Sequence, residues 1–97
     1  MTYEEFTATL TNDTPPEVNE LLTALWYATK GEWDRSHEIA QSIGGSDAAW
    51  VHAYLHRVEG DNGNAGYWYS MAGRTMPDQS LDEEWKVIVN EFLSSGN

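Results

Sequence analysis

Apolar residues recur along this chain at spacings of three and four, the period of a helix with one buried face. Val18, Leu21, Leu22, Leu25 and Ala28 mark one such stripe. Ile39, Ala40 and Ile43, with Ser36, mark a second, and Trp50, Val51, Tyr54, Leu55 and Val58 a broader third. Ala65, Trp68, Tyr69 and Ala72 form a fourth, and Leu81, Trp85, Ile88, Val89 and Phe92 a fifth. Gly31, Gly44-Gly45 and the run Gly60-Asp61-Asn62-Gly63 interrupt the pattern, and Met76-Pro77-Asp78-Gln79 reads as a connector. No segment alternates apolar and polar residues over a strand's length, and Val87-Ile88-Val89 sits inside a helical period. The pattern predicts an all-α fold.

Start signals refine the boundaries. Thr2 with Glu5, Thr14 with Glu17 and Ser80 with Glu83 each have the spacing of a capping box, in which two side chains satisfy the free N–H groups of a first turn. Pro15 and Pro16 suit the first turn of the second helix, and Ser46 or Asp47 is placed to cap the helix that runs through Glu59. Thr9 to Thr14 is turn material, so the first helix is short and tucks Tyr3, Phe6 and Leu10 against the rest. The resulting organisation is a single domain, 1–97. It holds one helical hairpin over about 16–44, a second over about 46–73 and a C-terminal helix over about 81–94 that frays at Ser94-Ser95-Gly96-Asn97.

The two hairpins are related. An offset of 29 residues carries Ala24 onto Ala53, Gly31 onto Gly60, Ser36 onto Ala65, Ala40 onto Tyr69, Ile43 onto Ala72 and Gly44 onto Gly73, and pairs Glu32 with Asp61 in charge. Small side chains let two antiparallel helices approach closely, and a glycine after the first helix takes the left-handed conformation that ends it. Neither hairpin can bury its apolar face alone, so the two are expected to stack.

This spacing resembles a degenerate tetratricopeptide repeat: Ala24 and Ala53 stand at the small residue of its first helix, Gly31 and Gly60 at its turn, Ser36 and Ala65 at the Ala of its second helix. Asn64-Ala65-Gly66-Tyr67-Trp68-Tyr69-Ser70-Met71-Ala72 is similar to the related Sel1-type repeat. The period is shorter than in either family, and Leu22-Thr23-Ala24 lacks the usual Leu-Gly pair. Gly31 to Glu38, His52 to Asp61 and Asn64 to Tyr69 also resemble a group of small bacterial helical proteins, a likeness that implies a fold and no activity. What the repeat implies is two stacked antiparallel hairpins.

Composition changes the picture in three ways. Five Trp, five Tyr and two Phe give a chain of 97 residues large apolar side chains to bury. The absence of Cys excludes disulfides and thiolate chemistry. Sixteen acidic residues against five basic ones, a net charge of -11, repel phosphate backbones and anionic membranes. No nucleic-acid or membrane role is therefore expected. Met1-Thr2-Tyr3-Glu4-Glu5 does not open like a secretory signal, and the expected compartment is the cytoplasm.

The candidate chemistry lies in residues that the repeat does not require. His52 and His56, four apart, share one helix face at the edge of its apolar stripe, with Glu59 on the same edge. His37 comes from the preceding helix. His37, His52, His56 and Glu59 are thus a candidate set for a divalent transition metal, with structural histidines as the plain alternative. Arg57 is expected to pair with Glu38 or Glu59, and Asp82-Glu83-Glu84 to stabilise a first helical turn through its dipole. Trp33 and Tyr67 lie off the inward stripes and, with His37, His52, His56 and Arg57, are candidates for contact with a ligand or partner.

No phosphate loop and no nucleophile with a defended base are present, so no catalytic residue is assigned. The leading expectation is a non-catalytic module that needs no cofactor and binds a protein or peptide, a basic one by charge, or a second copy of itself. It would use a concave face or an aromatic patch rimmed by acidic residues. The alternative is a small metal- or ligand-binding protein, with or without catalysis, built on the three histidines.

Overall fold

The computed structural model describes residues 1–95, so Gly96 and Asn97, the end of the predicted fray, lie outside the described residues. Among these the chain forms six α-helices and no strand: α1 Tyr3–Ala8, α2 Glu20–Thr29, α3 Trp33–Gln41, α4 Ser46–Val58, α5 Asn62–Met71 and α6 Leu81–Ser94, with a 3-10 turn at Thr9–Thr11. The all-α expectation holds. No helix among the described residues is long and apolar enough to cross a membrane.

The Thr2–Glu5 and Ser80–Glu83 capping boxes form at α1 and α6. The box expected at Thr14 does not. Pro16 disfavours the α region for Pro15 before it, and the helix starts five residues later, where the Asn19 side chain accepts from Leu22 N at 2.9 Å. At α4 neither Ser46 nor Asp47 is the cap. Gly45 is, at φ 103°, with no side-chain bond. At α5 the helix begins at Asn62, because Asp61 caps Asn64 N, and Gly63 lies inside the first turn instead of in a break.

The related hairpins repeat one another down to their turns. Gly31 N donates to Ala28 O and Glu32 N to Tyr27 O, and 29 residues on Gly60 N donates to Arg57 O and Asp61 N to His56 O. This is the paired-bond ending in which a left-handed residue satisfies the last carbonyls, and Gly31 and Gly60 have φ 81° and 84°. The small residues paired by the offset, Ala24 and Ala53, Ser36 and Ala65, are all fully buried. Ser36 Oγ donates to Ala24 O at 2.6 Å, which satisfies the buried hydroxyl at the close approach of α2 and α3.

Within the core α2 packs on α3 and α4 on α5, while α4 also touches α3, α2 and α6. Nine successive residues of α4, Ala48 to His56, are buried, which makes it the central helix, surrounded instead of one-sided. The C-terminal helix α6 lies against both α2 and α4, and α1 lies on α6. Trp85 of α6 donates its indole N–H to Leu25 O on α2 at 2.9 Å and packs against Phe6 and Tyr3 of α1. The side of α2 and α4 away from the histidines is thereby filled by the chain's own terminal helices.

Candidate metal centre

Two residue pairs at helical spacing build the site. On α3, Trp33 precedes His37 by one turn, and on α4, His52 precedes His56 by one turn. Trp33 sets the register between the two helices. Its indole Nε1 donates to Leu55 O at 2.7 Å, and its ring stacks on His37 with centroids 4.7 Å apart. On the far side, Trp68 of α5 stacks on His52 at 3.9 Å and 8°. The imidazoles are thus walled by two indole faces. Trp33, a candidate for contact with a ligand or partner, is a half-buried part of this wall.

The three imidazoles converge. His37 Nε2 lies 2.8 Å from His52 Nε2, so one N–H donates to the other's lone pair. One ring nitrogen from each of His37, His52 and His56 lies within 4.8 Å of the others. Helix phase placed His52 and His56 at an edge, but α5 and α3 close over them, and they are only 6% and 9% exposed. Burial, followed by the charge of His56, holds His37 below its ordinary value. Burial together with His37 and His56 brings His52 down to about 4. Both are therefore neutral at pH 7, with lone pairs available.

Glu59 enters differently from the way its spacing implies. Its Oε1 lies 2.6 Å from His56 Nδ1, which it orients, and so its first contact is with a histidine and not with the centre of the three-histidine cluster. His56, Glu59 and Asp61 form a second group of donors within 4.8 Å of one another. A cavity of about 390 Å3, lined by Ala40, Ile43, Ala49, His52, Trp68 and Met71, opens beside His52 and gives an approach to the cluster.

The remaining candidates fall elsewhere. Tyr67 is 57% exposed and touches the cluster only through Trp68, against which its ring stands edge-on at 5.3 Å. Arg57 pairs with neither Glu38 nor Glu59. Its Nη1 donates to Glu84 Oε1 at 2.6 Å and its Nη2 to Gln79 O at 2.9 Å. Glu84 is accordingly more than a dipole-stabilising charge. It is 1% exposed, and its carboxylate also accepts from Tyr69 Oη and from Trp50 Nε1 at 3.2 Å. This acid borders a concavity of about 630 Å3, but every partner it has is structural, so it holds α4, α5 and α6 together. The signal was in the sequence: Glu84 stands three after Leu81 and four before Ile88, on the inward stripe of α6.

Exposed large apolar residues among the described ones are Met1, Val58, Tyr67, Met71 and Val87, with Tyr67 the one aromatic among them. They lie on three helices and the N-terminus, with Tyr67 and Met71 one turn apart on α5 and the Tyr67 ring edge-on to Trp68 at 5.3 Å. No family model matches this chain, and neither the curated proteins nor the solved structures give a match.

Proposed function

We propose that this protein binds a divalent transition-metal ion through His37, His52 and His56. The observation that carries the reading is the convergence of three ring nitrogens within 4.8 Å inside a buried, aromatic-walled cluster. Three imidazoles suit zinc, copper or nickel, and a fourth position stays open to water or a small ligand. In a tetrahedral site the nitrogens stand about 3.3 Å apart, so an ion has to part the His37–His52 pair by about half an ångström while replacing the proton they share. The lowered values of His37 and His52 favour this, because metal then competes with few protons at neutral pH.

Glu59 serves the site from behind. By accepting from His56 Nδ1–H it fixes the tautomer that offers Nε2 to the ion, the usual role of a carboxylate behind a ligating histidine. The acidic surface, at net charge -11, draws cations towards the domain. A partner-binding role has less support, because the side of α2 and α4 away from the histidines is taken by α6.

Titration with Zn2+, Ni2+ and Co2+, followed by calorimetry and by the fluorescence of Trp33 and Trp68, tests the reading. The expected result is saturable binding that His52→Ala abolishes and Glu59→Gln weakens by about 10- to 100-fold. Equal affinity in wild type and His52→Ala would overturn it.

A further inference from the structure

His56 belongs to two donor groups at once. One joins it to His37 and His52, and the other to Glu59 and Asp61. We propose that these are two cation sites sharing one imidazole, so that the loaded protein holds a pair of divalent transition ions bridged by His56. The inner ion takes Nε2, and the outer ion takes Nδ1 together with the carboxylates of Glu59 and Asp61. This rests on the three-histidine reading for its inner half.

The backbone puts the outer donors in place. Asp61 follows the left-handed Gly60, and its N–H donates to His56 O at 2.9 Å, which clamps it back over the last turn of α4. Its carboxylate accepts from Asn64 N at 3.2 Å and from Asn64 Nδ2 at 2.8 Å, which fixes its direction. A carboxylate has about four acceptor positions, so the cap leaves lone pairs free for a cation. Glu59 already stands 2.6 Å from Nδ1. Both acids are exposed, so water completes the outer ion's shell, whereas in the inner set His52 and His56 are buried and His37 half-buried among rings.

The donors differ in kind as well as in place. The inner set is all nitrogen and uncharged, and the outer set is one nitrogen and two anionic oxygens. The outer ion occupies the position of the proton now held between Nδ1 and Glu59. That proton leaves to solvent, the bridging ring becomes imidazolate between two cations, and no electrons are exchanged.

Copper loading of the full chain tests this. Metal content after dialysis is read together with the paramagnetic resonance intensity of Cu2+. The expected wild type retains two ions, with fewer than two spins visible because the imidazolate couples them. Asp61→Asn keeps the helix cap, since Asn also caps, and should retain one ion with a full isolated signal. Glu59→Gln should also lose the second ion, and should hold the first about 10- to 100-fold more weakly than Asp61→Asn does. One ion in the wild type, unchanged in Asp61→Asn and lost in His52→Ala, overturns the outer site and leaves the inner one standing. Two ions without coupling overturn the bridge. No retained ion, or retention unaffected by His52→Ala, overturns the inner reading and this one with it.

Discussion

Acidifying the metal-free protein should remove stability between pH 6.5 and about 4, and His52 should carry a measurable part of that loss. Folding moves this imidazole from 6.5 to about 4. At about 1.4 kcal/mol per unit, the full displacement is worth about 3 kcal/mol. His37, against which His52 rests, is only half-buried, and the water that reaches it screens charge and reduces the expected effect to about 2 kcal/mol. The sign follows from which state takes the proton first. The unfolded chain protonates His52 near 6.5, while the folded chain resists until about 4, so unfolding takes up a proton in between. Stability is therefore full above 6.5, declines as pH falls through the window and levels off below about 4 for this group. Urea unfolding followed by far-UV circular dichroism, in chelator, measures it on the wild type and on His52→Gln. Asp61 and Glu83, held below their ordinary 3.8 and 4.5 by hydrogen bonds to Asn64 and Ser80, add a loss at lower pH. That loss is common to both proteins and cancels in the difference. A His52→Gln protein that keeps the whole wild-type decline between 6.5 and 4 would refute the reasoning.

Three further outcomes are expected. Glu84→Ala should cost about 3–5 kcal/mol, because it strands the Arg57 charge, the Tyr69 hydroxyl and the Trp50 N–H together. Glu84→Gln keeps an acceptor and should cost less, and urea midpoints within error of wild type for both would contradict the network's importance. Trp33→Phe removes the bond to Leu55 O and should cost about 1 kcal/mol, read from the thermal midpoint; an unchanged midpoint would mean the indole N–H contributes nothing to the register of α3 and α4. Gly45→Ala should cost about 1–3 kcal/mol from backbone strain alone, since φ 103° and ψ 171° suit glycine and nothing stands within 4 Å of the added Cβ; a neutral variant would show that the turn relaxes freely.

What the sequence showed well was what its local spacing controls. The stripes on α2 to α6, the boxes at Thr2 and Ser80 and the glycine stops at Gly31 and Gly60 all act over a few residues, and the structure has them. Thr14-Pro15-Pro16-Glu17 misleads because its cap spacing is right while consecutive prolines exclude the conformation, and Asn19 supplies a competing cap. The meeting of His37 with His52 was legible as a possibility, since adjacent antiparallel helices bring such positions together. Their burial was not, because it depends on how α3 and α5 close over α4. Arg57 shows the same limit: it finds Glu84, 27 residues away, through the placement of α6, and no local spacing announces that partner.

The position of α6 bears on how the chain comes into being. Its Glu84 supplies the counter-charge for Arg57 and the acceptor for Tyr69, and its Trp85 reaches Leu25, 60 residues earlier. A ribosome makes α2 to α5 before α6, so for that interval the hairpins emerge with a cation and two aromatic donors lacking their lasting partners. The hairpins gain their full set of buried partners only once α6 has been made and has docked. Until then Arg57 and Tyr69 lack the carboxylate they share, and α6 on docking supplies it to both while Trp85 reaches α2.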